Sequence, residues 1–260
     1  MFNIFGDKRK KTVKQAATIT EPIEGQAYII GDIHGCFDEM EALLGYIKAD
    51  VIARPQQKTQ LIFLGDLIDR GPKSCQVVDF LRNFNPDWAE VHFLMGNHEE
   101  VYLSVMGGSL SSLASWFQFG GRECARSYAV ENLGRIYADP EGLLREIRRK
   151  VPQSHIDFVS SFRDYLVVGP YLCVHAGIRP RIKLENQKPK DFRWIREGFV
   201  NYTKPHDYIV VHGHTIVPEP VIHSNRIAID TGAYTGGPLT ALRIDKVGQA
   251  FLQSPMRVAG

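Results

Sequence analysis

Hydrophobic and polar positions along this chain switch between two periods. Leu61, Ile62, Phe63 and Leu64 form an apolar run with the length and flanks of a buried strand. Residues 27–30 and 91–95 form similar runs on either side. After the first run, Phe37, Met40, Leu43, Leu44 and Ile47 fall at helical spacing, which predicts a helix over 37–47. After the second, Val77, Val78 and Leu81 share one helical face behind Pro72. Strand, loop and helix therefore alternate, the mark of an α/β first half. Residues 100–106 continue as helix. Gly107, Gly108 and the 116–128 segment (WFQFGGRECARSY) then interrupt the pattern, before Leu143, Leu144, Ile147 and Val151 return to helical register. From Tyr165 onward, YLVVG, YLCVH, DYIVVHGH, RIAID and ALRID are short and rich in β-branched and aromatic residues. A mostly β second half behind an α/β first half predicts two sheets packed face to face with helices outside.

Composition narrows the classes. The 260 residues, 44% hydrophobic and 23% charged, suit one globular domain, expected over 23–254 behind a flexible basic tail at 1–22. No run approaches the roughly 18–20 apolar residues of a membrane span, so no membrane partner is expected. A net charge of +2 gives no support for nucleic acid as a partner. The basic runs 8–11 and 145–150 read as solvated surface. Four cysteines without CxxC spacing, and an opening without an apolar leader, predict reduced thiols in a cytoplasmic protein. Cys36, just behind the first apolar run, reads as a small buried residue rather than an oxidation-sensitive thiol.

The three apolar runs of the first half each end in glycine followed by polar residues with ligand chemistry: Gly31-Asp32-Ile33-His34-Gly35, then Gly65-Asp66 with Asp69 and Arg70, then Gly96-Asn97-His98-Glu99. One Gly-Asp pair is a common turn, and a lone histidine is usually structural. Three such clusters, each directly behind a strand and about 30 residues apart, belong at the carboxyl end of one sheet, where α/β proteins bind ligands. Carboxylate, amide and imidazole together suit divalent cations. No GxSxG elbow offers a serine nucleophile.

GDIHG, GDLIDRG and GNHE, followed by Val174-His175-Ala176-Gly177 and Gly213-His214-Thr215, resemble the phosphoprotein phosphatase branch of the calcineurin-like metallophosphoesterases. Trp194-Ile195-Arg196 and IDTGAYTGGPLTAL at 229–242 resemble its bacterial and phage serine/threonine protein phosphatases. The resemblance spans about 28–244. It implies a four-layer αββα sandwich of two mixed sheets, with a helical cap at about 105–160 that chooses the substrate. It also implies two divalent ions, manganese first, with iron, zinc and magnesium also suited. Asp32 and His34 would hold the first, Asp66 would bridge, and Asn97, His175 and His214 would complete the second. A bridging carboxylate holds such ions about 3.5–4 Å apart, and the hydroxide between them is the implied nucleophile. Arg70 has the planar fork to clamp phosphoryl oxygens. Arg196, as second clamp, rests mainly on the resemblance, with Arg193 and Arg122 as rivals. His98 is left to protonate the leaving oxygen, with Asp69 as its carboxylate partner. Many metallophosphoesterases end in GHxH, and here Ile216 stands in place of the last histidine. His92, His155, His206, His212 and His223 read as structural.

The expected activity is therefore hydrolysis of phosphoserine and phosphothreonine in proteins, with nucleotides as side substrates. The rival is a bis(5'-nucleosyl)-tetraphosphate hydrolase, whose motifs resemble GDLxARG and GNHD where this chain has Asp69 and Glu99. A carboxylate partner for His98 favours the protein phosphatase. A non-catalytic, phosphoprotein-binding relative would be expected to lack a ligand, Arg70 or His98, and none is missing.

Overall fold

In the computed structural model the described residues are 23–56 and 58–256. The basic tail read at 1–22 lies outside them. Strand β1 (Gln26–Ile30) sends Tyr28 and Ile30 to one face and Ala27 and Ile29 to the other, all fully buried. Burial on both faces makes it a central strand. Helix α1 (Phe37–Ala53) runs beyond the predicted 37–47 because Val51 extends its buried stripe. Strand β2 (Thr59–Phe63) and strand β3 (Glu90–Phe93) continue the sheet in parallel, with helix α2 (Ser74–Arg82) between them in sequence.

Helices α3 (Asn97–Met106), α4 (Leu110–Gln118), α5 (Gly121–Ser127), α6 (Pro140–Lys150) and α7 (Gln153–Ser160) fill the chain before the next strand. Helix α3 starts three residues ahead of the expected 100, so Asn97, His98 and Glu99 form a helical first turn rather than a loop. The interrupted 116–128 segment is the end of α4 and all of α5, meeting at Gly120 with φ of +103°. Helix α7, which periodicity did not announce, buries only His155 and Val159.

Strands β4 (Tyr165–Val168) and β5 (Tyr171–Val174) open the second sheet, followed by helices α8 (Pro189–Trp194) and α9 (Glu197–Val200) and strands β6 (Ile209–His212), β7 (Val221–Ile222) and β8 (Arg226–Ala228). Its order is β4-β5-β6-β8-β7. The last two strands, β9 (Thr240–Asp245) and β10 (Gln249–Gln253), return to the first sheet, where β9 lies antiparallel on β1. Ala27, Ile29, Ile62 and Leu64 meet Cys173, Val211 and Ile227 between the sheets. Leu172, Val174 and Val210 face outward onto Phe192 and Phe199. Helix, sheet, sheet and helix make the αββα sandwich of two mixed sheets. No helix among the described residues is long and apolar enough to cross a membrane.

Candidate active site

The loops behind β1, β2, β3, β5, β6 and β8 converge at the carboxyl ends of both sheets. Backbone contacts lace them together. The Ile33 and His34 N–H groups donate to the Asp66 carbonyl at 3.1 and 2.8 Å. The Glu99 carboxylate accepts from the N–H groups of Gly96, Asp66 and Leu67 at 3.0, 2.8 and 2.8 Å. Gly65, with φ of +96°, lets the second loop approach the third so closely that a Cβ there would lie 2.5 Å from the Gly96 nitrogen. His34, Asp66, Asp69, Arg70 and His214 all have positive φ, between 47° and 73°. Such backbone is costly for a side chain bearing Cβ, and its concentration in these loops marks a functional site.

Asp66 Oδ2 sits 3.6, 3.4 and 3.8 Å from the Nε2 atoms of His34, His175 and His98. His175 Nε2 also faces Asn97 Oδ1 at 2.9 Å and His214 Nδ1 at 3.2 Å. His34 and His175 each give their Nδ1–H to a backbone carbonyl, of Ile68 at 2.9 Å and Leu64 at 3.0 Å. Their Nε2 lone pairs therefore point at carboxylate and amide oxygens, an arrangement that needs positive charge in its centre. Burial drives His34 down to about 3 and His214 to about 2, so both rings are neutral and able to ligate. His175 shows the demand for charge: burial opposes its protonation, but Asp66 and Asp32 outweigh it and raise it to about 9. His214 Nε2 is buried without a hydrogen-bond partner. The donor set fits divalent metal ions. Among the described residues two overlapping groups qualify by distance, His34, Asp66 and His98, and Asp66, His175 and His214. Asp32 joins neither. Its carboxylate accepts the His214 N–H at 3.0 Å.

Around this cluster the cavity, about 400 Å³, is lined by His34, Asp66, Arg70, Asn97, His98, Arg196, His214, Thr215, Ile216, Asp230 and Tyr234. Arg70 donates to the Tyr234 hydroxyl at 2.6 Å and lies over its ring at 4.6 Å, with Nη2 3.4 Å from His98 Nε2. His98 Nδ1 is 2.6 Å from Asp69 Oδ2, both buried. Burial opposes charge on His98, but Asp66 and Asp69 raise it to about 9. Among the rival arginines, Arg193 is held by Asp164 and Glu100 at 2.6 and 3.0 Å, and Arg122 lies over Phe117. Arg196 lines the cavity. Glu99 does not: it is fully buried and its carboxylate is taken up by three backbone N–H groups. Sequence reading assigned no role to Asp230, Tyr234 or Thr215, although the first two lie in the quoted IDTGAYTGGPLTAL run. His92, His155 and His212 are buried away from the cavity.

The calcineurin-like phosphoesterase family matches residues 26–247. A protein of Anoxybacillus flavithermus named bis(5'-nucleosyl)-tetraphosphatase PrpE (asymmetrical) is 32% identical, covering 88% of this chain and 94% of its own. The Bacillus subtilis protein of the same name is 30% identical, over 84% and 91%. A crystal structure described as a candidate diadenosine tetraphosphatase superposes with a TM-score of 0.61 at 20% identity, over 92% of this chain and 99% of its own, which is a likeness of fold.

Proposed function

This chain belongs to the calcineurin-like phosphoesterase family, and we propose that it is a metal-dependent hydrolase of bis(5'-nucleosyl) tetraphosphates, cutting them asymmetrically. The observation that carries the substrate class is the near full-length likeness to relatives bearing that name. Divalent ions, manganese first, held by Asp32, His34, Asp66, Asn97, His175 and His214, would polarise the phosphoryl group and activate water. Arg70 and Arg196 bind the phosphoryl oxygens and orient the chain of phosphates. His98 Nε2 faces the cavity and protonates the departing oxygen, while Asp69 holds Nδ1. The helices over 105–160 act as a cap: the Arg70 N–H donates to the Gly120 carbonyl at 3.0 Å, and exposed Phe119 stands edge-on to His98. The unit acts over 23–254 in the cytoplasm, in keeping with four cysteines that form no disulfide.

The buried His98–Asp69 pair favours a second reading, hydrolysis of phosphoserine and phosphothreonine, whose alkoxides need a proton to leave. Diadenosine tetraphosphate, a phosphoseryl peptide and p-nitrophenyl phosphate, compared with manganese present, decide between them. The dinucleotide should be preferred and should yield nucleoside mono- and triphosphate. Two diphosphates, or preference for the peptide, would overturn the proposal.

A further inference from the structure

We propose that Trp116, on α4, is a positioning residue that dictates which nitrogen of His98 delivers the proton. The inference rests on His98 as the acid in the function proposed above. Trp116 is fully buried, and its Nε1 lies 2.8 Å from Asp69 Oδ1 and 3.0 Å from Oδ2. Asp69 Oδ2 in turn lies 2.6 Å from His98 Nδ1. An indole N–H only donates, and shared between both oxygens it favours the ionised, acceptor-only form of Asp69. Facing an acceptor carboxylate at 2.6 Å, His98 Nδ1 must carry a hydrogen. That leaves Nε2, 3.4 Å from Arg70 Nη2, as the atom turned to the cavity. When the P–O bond breaks, the leaving oxygen takes the proton from Nε2, and His98 remains as its Nδ1–H tautomer. Without the indole, Asp69 is free to rotate or to donate its own hydrogen, and the tautomer is no longer dictated.

The local packing is built for this contact. A Cβ on Gly121 would lie 2.3 to 2.5 Å from the indole ring, so glycine is what allows α5 to press the ring towards Asp69. The backbone N–H of Asp69 donates to Ser74 Oγ at 2.9 Å, so the residue is held from both ends. The indole also packs on Tyr102 and Phe117. Phenylalanine keeps an aromatic ring at this place but not the N–H.

The test uses Trp116→Phe, which removes the N–H and keeps a ring, Gly121→Ala, which displaces the indole, and His98→Asn. Ring-nitrogen NMR of His98 reads the tautomer directly, in the metal-free and the manganese-replaced diamagnetic zinc form. Turnover of phenyl and p-nitrophenyl phosphate reads the dependence on leaving group. At a pH alkaline enough to leave the ring neutral, wild type should show one tautomer with hydrogen on Nδ1. Trp116→Phe should show a mixture, lose about tenfold on phenyl phosphate and less than about twofold on the nitro ester, with metal content unchanged. Gly121→Ala should shift both readouts the same way, which keeps the test decisive if Trp116→Phe does not fold. An unchanged tautomer in both variants, or equal losses on both esters, overturns the proposal. If His98→Asn discriminates between the esters and Trp116→Phe does not, Trp116 alone is misassigned. If His98→Asn also reduces both equally, the acid reading falls and takes this inference with it.

Discussion

Replacing Arg70 by glycine and, separately, by alanine measures the backbone strain held beside the metal cluster. Arg70 has φ of +66°, a conformation that costs a residue with Cβ about 1–2 kcal/mol. Glycine relieves that strain but gains about 0.5–1 kcal/mol of freedom when unfolded. Both variants lose the bond to Tyr234 and the ring contact, so those losses cancel between them. Arg70→Gly should therefore be the more stable by about 0.5–1 kcal/mol, and a chain of this length melts about 2–4 °C higher per kcal/mol. Calorimetry of both in chelator, where metal content is equal, reads the difference. Both should also bind inorganic phosphate about 10- to 100-fold more weakly as a competitive inhibitor, because one charged fork is gone. If Arg70→Ala melts at or above Arg70→Gly, the strain is not there. Unchanged phosphate inhibition would remove Arg70 from the substrate site.

Chelation should abolish hydrolysis and manganese should restore it. Asp66→Asn should be the most damaging ligand change by metal analysis, since Asp66 Oδ2 faces three imidazoles; two tightly held metals and a near-normal rate in that variant would refute the assignment. His98→Asn should lower turnover roughly 10²- to 10⁴-fold on substrates with poor leaving groups while leaving metal content intact; loss of a metal would make His98 a ligand instead. Away from the site, burial tends to raise the Asp50 carboxyl, but the Tyr28 hydroxyl at 2.7 Å and Arg243 at 3.0 Å outweigh it and hold it below its usual range. A carboxylate held low contributes stability that is present above its unfolded value near about 4 and lost as pH falls through the depressed one. Circular dichroism should therefore find Asp50→Asn less stable than wild type at neutral pH, with the two converging below about pH 4; a constant difference across that range would refute it.

Local covalent geometry explains what was legible before the fold. Side chains alternate along a strand and recur every 3.6 residues along a helix, so β1, β2, α1 and α2 could be read from spacing alone. Glycine directly behind an apolar run marks where a chain leaves a sheet, which is why Asp32, Asp66 and Asn97 could be grouped without coordinates. Contacts between elements distant in sequence required more. Strand β9 pairs with β1 across more than two hundred residues, and nothing in a local period specifies a partner so distant. The same holds within the site. Tyr234 meets Arg70 across 164 residues and Trp116 meets Asp69 across 47, contacts set by how α4 and the loop after β8 pack against the first sheet. The turn to Asp32 by the His214 N–H, the pairing of Arg193 with Asp164 and Glu100, and the withdrawal of Glu99 onto backbone are of this kind. Residue type and spacing name the groups able to bind metal and phosphate; only packing decides which of them face the cavity, because burial, hydrogen-bond partner and charge are properties of the assembled neighbours.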